Sequence, residues 1–284
     1  MKGINHLVLA GNDLDAMRSV YAALGFTLTP RAQHPFGTGN SVIQLHGSYL
    51  ELLALTKPED VPEDRAGYFS FAGFNRDYLR RHEGFSMLVL DTADAAADIA
   101  AWRAGGLQTY APFEFSRMAA MPDGDTIRLG FSLAYISDPR APWLGHFACQ
   151  HFAPEYYAQP RYLSHANGAT HVHDVWITGD GALALATHMS LFTGVSTRSA
   201  GPGRTEFKTA AGTVILAKAG EFERAFGMPP PHPFDGPHLA GYTVGCRSLD
   251  VISDMGLEKM RERHVVPPAA GFGTAIGFIA AERP

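Results

Sequence analysis

His6 and Glu51 are the two side chains whose surroundings most directly indicate chemistry. Each lies in an apolar run that predicts a β-strand, residues 4–10 and residues 49–55. Alternate residues of a strand share a face, so both side chains are expected to point the same way as apolar neighbours. A carboxylate between leucines is costly to bury unpaired, and a divalent cation is one candidate partner. One His and one Glu make half a site, since zinc takes about four ligands.

Two further polar side chains end a third apolar run, residues 146–151. Gln150 and His151 must point to opposite faces of that strand, so only one of them can face a cavity. We expect Gln150 to face inward, because Ala148 and His146 share its face and leave a roomy cavity with polar ends. Its carbonyl oxygen could then bind a metal, a water or a ligand.

A glycine-rich segment, HPFGTGN at residues 34–40, is first of all a turn signal. Between two strands at the mouth of a cavity it could also lie over a ligand, with His34 and Asn40 as its polar contacts. Aromatic side chains that could supply the apolar walls of such a cavity are Phe36, Trp143 and Phe147.

The elements that would position these residues form an internal repeat of the pattern βαβββ. Four copies begin near residues 4, 86, 172 and 239, and the fourth is truncated. The predicted strands are 4–10, 26–29, 41–45, 49–55, 86–90, 107–110, 127–136, 146–151, 172–177, 206–209, 213–217, 239–244 and 275–280. The predicted helices are 14–24, with Asp13 as N-cap and Gly25 at its end, then 93–104, 181–192 and 248–264.

One βαβββ unit leaves a sheet face bare, whereas two units can curl into a cup with a cavity inside. The predicted fold class is therefore α+β, with tandem βαβββ repeats forming two cup-shaped mixed β-sheet domains. Residues 1–157 form the domain with the pocket. Residues 165–284 form a second, degenerate domain that either covers the first cavity or mediates a homodimer.

Composition excludes several classes of protein. Lys plus Arg number 23 and Asp plus Glu 28, a formal net charge of −5, so the basic footprint of a nucleic-acid binder is absent. No run of Lys and Arg would hold an anionic membrane surface, and no apolar stretch approaches the ~18 residues of a membrane span. Two cysteines and a short apolar N-terminal run favour the cytoplasm.

The first copy resembles the vicinal oxygen chelate superfamily of glyoxalases, bleomycin-resistance proteins and dioxygenases. The matching sequences are INHLVL at 4–9, LGF at 24–26 and YLELL at 49–53. A closer resemblance is to the glyoxalase-like branch of long, duplicated bacterial proteins. Its marks are HPFGTGN at 34–40, CQH at 149–151 followed by PE at 154–155, and NGA at 167–169.

This resemblance implies a metal held by the first and last strands of two paired units. His6 and Glu51 match the first unit, but the second has no His on its first strand and no carboxylate on its last, which leaves Gln150 or His151 as a substitute. The implied function is a metal-dependent small-molecule lyase or isomerase acting on a substrate with vicinal oxygens. Zn, Ni, Mn or Fe would act as a Lewis acid, and Glu51 or His151 would move the proton.

Two alternatives stay open at this point. A metal-free protein of this fold could sequester a small aromatic or amphipathic molecule. An iron-dependent ring-cleaving dioxygenase would need two His and one carboxylate on one metal, and no second His aligns with His6 and Glu51. His171 and His173 share a strand face, but the strand 213–217 supplies nothing to complete a site, so they are read as a polar face or a domain contact.

Overall fold

A computed structural model describes residues 1–120, 126–156 and 158–281. Within these residues the backbone forms two mixed β-sheets, one of nine strands and one of eight. Residue 157 and residues 282–284, at the ends of the two predicted domains, lie outside the described residues. The division into domains 1–157 and 165–284 stays a proposal.

The first sheet contains two βαβββ repeats. The first repeat consists of β1 (Ile4–Ala10), α1 (Leu14–Ala23), β2 (Ala32–Gln33), β3 (Thr38–Leu45) and β4 (Ser48–Leu55), and is followed by α2 (Phe71–Leu79). The second has one additional strand, β7, which pairs with β8, and consists of β5 (Gly84–Asp91), α3 (Ala95–Ala104), β6 (Gln108–Thr109), β7 (Phe113–Ala120), β8 (Thr126–Ser137) and β9 (Gly145–His151).

The second sheet contains the other two repeats. The third repeat consists of β10 (Ala169–Thr178), α4 (Ala186–Thr193), β11 (Arg198–Ser199), β12 (Arg204–Lys208) and β13 (Thr213–Ala217), and is followed by α5 (Ala219–Phe226). The fourth consists of β14 (His238–Cys246), α6 (Asp250–Asp254), β15 (Glu258–Met260), β16 (Arg263–Val266) and β17 (Ala275–Ala280). Among the described residues, none of the helices has the length and apolar character that a membrane crossing requires.

The two repeats of each sheet pair through their first strands. β1 is antiparallel to β5 and parallel to β4, and β5 is parallel to β9. In the second sheet β10 is antiparallel to β14 and parallel to β13, and β14 is parallel to β17. The predicted α+β fold of tandem βαβββ repeats in two mixed sheets is therefore confirmed.

The start of α1 shows how local sequence sets an element. The Asp13 carboxylate accepts hydrogen bonds from the backbone N–H groups of Asp15 and Ala16, at 2.9 and 3.0 Å, and so satisfies donors that a helix start leaves free. Gly25 then adopts φ +84°, a conformation that favours glycine, and ends the turn. A side chain there would also contact Asn167, which caps the α1 carbonyl of Leu24 from the second half of the chain.

Two predicted elements are wrong. The helix predicted over 248–264 ends after α6, because Gly256 adopts φ +67° and the chain then turns into β15 and β16, which pair in the sheet. The fourth repeat is therefore complete and not truncated. No strand forms at 26–29, where the Thr27 backbone N–H and hydroxyl bond to His165 and Ser164 of the linker between the sheets.

The two sheets pack back to back on one shared core. Leu7 and Leu9 of β1 belong to a core cluster that also contains side chains of the second sheet, such as Tyr242. The Tyr21 and Tyr242 hydroxyls lie 3.2 Å apart, and the Trp102 indole donates to the carbonyl oxygen of Leu191 at 3.1 Å. The opposite faces carry separate clusters, one under α2 and β7 and one under α5, and neither helix is indicated by the sequence pattern.

This shared core predicts that Phe192→Ala destabilises both halves at once. The Phe192 ring is fully buried on α4 and lies 5.6 Å from the Trp102 ring of the first half. Its removal should cost about 3–5 kcal/mol. Hydrogen exchange followed by mass spectrometry should show the same loss of protection in β9 and β13. Phe234→Ala, at a 96% exposed position, is the control. Loss of protection in β13 alone would contradict a shared core.

Candidate active site

A small cavity of about 40 Å³ lies on the face of the first sheet that points away from the second sheet. Strands of both repeats line it, and α2 and β7 lie over it. The lining side chains are His6, His34, Phe36, Asn40, Tyr49, Glu51, Phe71, Phe115, Arg117, Phe131, Leu133, Phe147 and Cys149. The space holds one or two water-sized groups and not a whole substrate.

His6 and Glu51 meet in this cavity because β1 and β4 are parallel neighbours. In the register of the two strands Val8 lies opposite Glu51, and all three side chains leave the sheet on the same side. His6 Nε2 lies 3.6 Å from Glu51 Oε2, and both side chains are almost completely buried. The two residues are thus within reach of one bridging ion or proton.

The glycine-rich segment brings two more polar groups to Glu51. The Asn40 amide donates to Glu51 Oε1 at 2.6 Å, and His34 Nε2 lies 3.7 Å from the same oxygen. The segment folds back on itself, since the His34 backbone N–H bonds to the Thr38 carbonyl at 2.8 Å and Gly37 adopts φ +90°. His34, before this turn, and Asn40, which lies in β3, both line the cavity.

Both imidazoles turn a lone pair toward the carboxyl group. His6 Nδ1 lies 2.7 Å from Asn5 Oδ1, an acceptor, which assigns the proton of a neutral His6 to Nδ1. His34 Nε2 accepts from the Asn40 amide at 3.4 Å, while its Nδ1 bonds to the Thr38 hydroxyl at 2.8 Å. Acceptor atoms thus face Glu51 on two sides, an arrangement that a proton or a cation would stabilise.

Burial sets the protonation of these groups. It raises the pKa of Glu51 from its usual 4.5 to about 7, against the opposing effects of the Asn40 hydrogen bond and the Arg117 charge. Burial lowers the pKa of His34 to about 3 and that of His6 well below its usual value. It also raises the pKa of the Cys149 thiol, so this cavity-lining cysteine is neutral. Of these four groups, Glu51 is the one whose pKa lies near neutral pH.

Gln150 does not face the cavity as predicted. Gln150 Oε1 accepts from the Ala95 backbone N–H at the start of α3, at 3.1 Å, so the side chain points away from the cavity. The face expected to pack under helices, with Phe147 and Cys149, is the cavity face. His146 and Ala148 face the second sheet, where His146 Nε2 lies 2.5 Å from His188 Nε2. The small side chain of Ala148 on that face allows close packing between the sheets and does not line a cavity.

His151 itself adjoins the site without lining it. Its Nε2 lies 3.4 Å from Asn5 Oδ1, the oxygen that also holds His6, and burial lowers its pKa to about 4. Among the predicted apolar walls, Phe36 and Phe147 line the cavity. Trp143 does not, because it lies half-buried against the Arg81 guanidinium, 4.6 Å from it.

Sequence reasoning missed three contributors to the site. The pairing of β1 with β5 shifts register between Ile4 and His6, so Ile4 joins the shared core and Asn5 reaches the site beside His6. Tyr49 stacks on His6 at 4.3 Å, as the alternation along β4 allows. Arg117 lines the cavity from β7, a strand that the sequence pattern does not indicate.

The donor atoms suit a divalent metal in kind but do not gather into a finished site. Two imidazole nitrogens and a carboxylate are common ligands of Zn and Fe. Among the described residues, however, no group of three or more His, Cys, Asp or Glu side chains could hold a metal ion as it stands. The Asn40 amide occupies the space between Glu51 and His34, and Gln150 points away.

The described residues of the second sheet include no counterpart of this cluster. His171 Nδ1 bonds to the neighbouring Thr170 hydroxyl, and the His171 and His173 rings are 6.1 Å apart. The corresponding cleft of this sheet, about 390 Å³, is lined largely by arginines and carboxylates in ion pairs, including a buried pair between Arg263 and Asp174 at 2.9 Å.

Comparison with known proteins agrees with the fold described above. A family model described as a glyoxalase-like domain matches residues 4–191. A hypothetical protein from Staphylococcus aureus superposes with a TM-score of 0.73 at 12% identity, over 99% of this chain and 100% of that chain. A variant of 4-hydroxymandelate synthase from Streptomyces coelicolor superposes with a TM-score of 0.53 at 13% identity, over 94% of this chain and 78% of that one. At such identities both likenesses show the fold alone. No curated protein matches the sequence at a significant level.

Glu51→Gln should change how stability depends on pH. The folded-state pKa of Glu51 is raised from 4.5 to about 7, so its contribution to stability is present below pH 4.5 and is lost as the pH rises through 7. Gln keeps the acceptor for Asn40 but does not titrate. The free energy of unfolding of the variant relative to wild type should therefore rise by up to about 3 kcal/mol from pH 5 to pH 8. Urea titrations at each pH measure it, and a constant difference would contradict the burial argument.

Gln150→Leu should affect stability and leave the cavity intact. It removes an acceptor from the first turn of α3, which costs about 0.5–2 kcal/mol. His151→Leu removes a contact to Asn5 and should disturb the orientation of His6. NMR chemical shifts of the His6 ring, followed in both variants, report the difference. A shift of the His6 signals in Gln150→Leu and not in His151→Leu would restore the inward position predicted for Gln150.

Proposed function

Because the chain belongs to the glyoxalase-like domain family, we propose that it is a small-molecule enzyme in which Glu51 moves a proton on a substrate with neighbouring oxygen atoms. Membership of the family supports an enzyme acting on a small molecule. We further propose that the reaction is that of a lyase or an isomerase.

One observation carries it. A carboxyl group with a pKa of about 7 faces two neutral imidazoles inside an aromatic cavity. An acid or base works best when its pKa lies near the operating pH, because both forms are then available without a large energetic penalty. A carboxylate used only in a structural ion pair would have its pKa lowered by its partner.

The surrounding groups support proton abstraction next to a carbonyl group. Glu51 would take a proton from carbon and return it, while Asn40 orients the carboxyl group. Negative charge that develops on a substrate oxygen would be stabilised by the Arg117 guanidinium at the wall of the cavity. Since His151 does not line the cavity, we assign it a positioning role through Asn5 and His6.

A divalent metal, Zn, Ni, Mn or Fe, is a further part of this proposal. The donors at hand are His6, His34 and Glu51, with His34 in the place first expected for Gln150; because they do not form a metal site as they stand, they would hold the ion only after moving together and displacing the Asn40 amide. When bound, such a cation would supply Lewis-acid polarisation of the substrate oxygens. Elemental analysis of protein purified without chelator or His tag tests it: about one equivalent in wild type that is lost in His6→Ala supports the site.

A second candidate, an iron-dependent ring-cleaving dioxygenase, would use His34 as the second His beside His6 and Glu51. His34 Nε2 lies 3.7 Å from Glu51, but these side chains do not form a metal site as they stand and would have to move together to bind one iron. Iron in the purified protein together with oxygen consumption on catechols would favour this candidate. Absence of metal with a hydrophobic ligand carried through purification would favour the third, a metal-free binding protein.

Cytoplasmic location, a homodimer and a bacterial source remain predictions.

Deuterium exchange tests the role of Glu51 without knowledge of the natural substrate. Wild-type protein incubated in heavy water with small 2-hydroxy ketones and 2-oxo acids should catalyse exchange at the carbon beside the carbonyl group, measured by NMR. The rate should rise as the pH passes through about 7 and Glu51 loses its proton. Glu51→Gln should lower the rate by about 10²–10⁴-fold.

The matched control is Gln150→Leu, which should exchange at the wild-type rate. Exchange by Glu51→Gln at that same rate would contradict a role of Glu51 in proton transfer. Absence of exchange by the wild-type protein with every compound would favour the binding alternative.

A further inference from the structure

A groove of about 220 Å³ adjoins the Glu51 cavity, and Asn40 and Arg117 line both. We propose that this groove, called here the arginine groove and marked by Arg31, Arg117 and Arg161, binds the carboxylate or phosphate group of an elongated substrate whose reacting end reaches Glu51. The inference rests on the proposed function for the reacting end alone, since anion binding in the groove can be measured separately.

The size of the cavity requires such an extension. Binding sites for small molecules usually enclose about 300–1,000 Å³, far more than the 40 Å³ beside Glu51. The arginine groove is about five times larger and opens from the same wall. A substrate that places its reacting atoms at Glu51 must therefore place the rest elsewhere, and the arginine groove is an adjoining space that shares two polar residues, Asn40 and Arg117, with the cavity.

The charge of the groove points to an anion. Three arginines line it and, among the described residues, no Asp or Glu does, in a chain whose net charge is −5. Arg31 pairs with Asp15 outside the groove. Arg161 donates to the Gln159 side chain at 3.1 Å, and no carboxylate among the described residues forms an ion pair with it. Among the described residues no carboxylate forms an ion pair with Arg117, and its charge reaches Glu51 and His34.

The cleft of the second sheet provides an internal comparison. It is also lined by four arginines, but four carboxylates lie among them and several form ion pairs. That cleft is therefore balanced in charge. Within the part of the chain that the structure describes, no carboxylate lines the arginine groove, and guanidinium groups are common ligands of carboxylate and phosphate.

Apolar groups complete the description of the ligand. Tyr156 and Tyr162 flank the arginines, and the Arg161 guanidinium lies over the Tyr162 ring at 4.7 Å. Met118, which is 61% exposed, lines the same wall. The groove thus suits a molecule with an anionic end and a short apolar or planar body.

Calorimetric titration at constant ionic strength, with inorganic phosphate and with acetate as probes and chloride as the balancing ion, tests the proposal. The wild-type protein should bind one equivalent of one probe. Tighter phosphate binding would indicate a phosphorylated substrate, and tighter acetate binding a carboxylate substrate. Arg161→Gln should weaken binding about fivefold, and the double variant with Arg117→Gln by more than about tenfold.

Two controls keep the outcome interpretable. Arg224→Gln, which removes a paired arginine of the other cleft, should bind as wild type does. Glu51→Gln should retain anion binding, so that loss of deuterium exchange and loss of anion binding are separate results. If Arg117→Gln does not fold, Arg161→Gln, at an exposed position, carries the test alone. Absence of saturable binding of either probe, or wild-type affinity in the arginine variants, would overturn the arginine groove and leave the role of Glu51 untouched.

Discussion

The burial of one carboxyl group, that of Glu51, is the constraint to which the site responds. Its side chain is 7% exposed, and a buried carboxylate is costly unless hydrogen bonds or charges compensate it. Asn40 supplies one short hydrogen bond, whereas His6 and His34 present lone pairs. One hydrogen bond therefore offsets only part of the cost of burying the charge, and the carboxyl group takes up a proton below about pH 7. A proton, a cation or a substrate atom can each complete the same arrangement.

The fold holds this arrangement still by using both faces of one sheet. Along β1, Leu7 and Leu9 anchor the strand in the core shared with the second sheet, while His6 lines the cavity and Val8 packs in the hydrophobic cluster on the same side. Glu51 lies on the neighbouring parallel strand, and Arg117 comes from the paired repeat. Rigid strands are better supports for such a site than loops, because their side chains keep fixed distances. The second sheet supports the site through the shared core, and none of its described residues lines the cavity.

Much of the fold and half of the site could be read from the sequence, for reasons that differ by residue. Periodicity of two identified the strands that carry His6 and Glu51, and a turn signal identified His34 and Asn40. Alternation alone could not decide whether Gln150 or His151 points toward the cavity. The small side chain of Ala148 was taken as a sign of cavity space, but it allows close packing between the sheets. A register shift beside Asn5 and the contact between Glu51 and His34 are tertiary features that no local pattern encodes. The helix expected at 248–264 does not extend beyond α6, because the chain turns at Gly256 and continues as the paired strands β15 and β16.

The most direct test of the central claim is the protonation of Glu51 itself. Carbon-13 NMR of the glutamate side-chain carboxyl groups, with the Glu51 signal assigned by its absence in Glu51→Gln, follows the titration without any substrate or metal. A midpoint near pH 7 is the predicted result. A midpoint near 4.5, the value of an ordinary glutamate, would contradict the claim that burial between two neutral imidazoles keeps this carboxyl ready to exchange a proton at neutral pH.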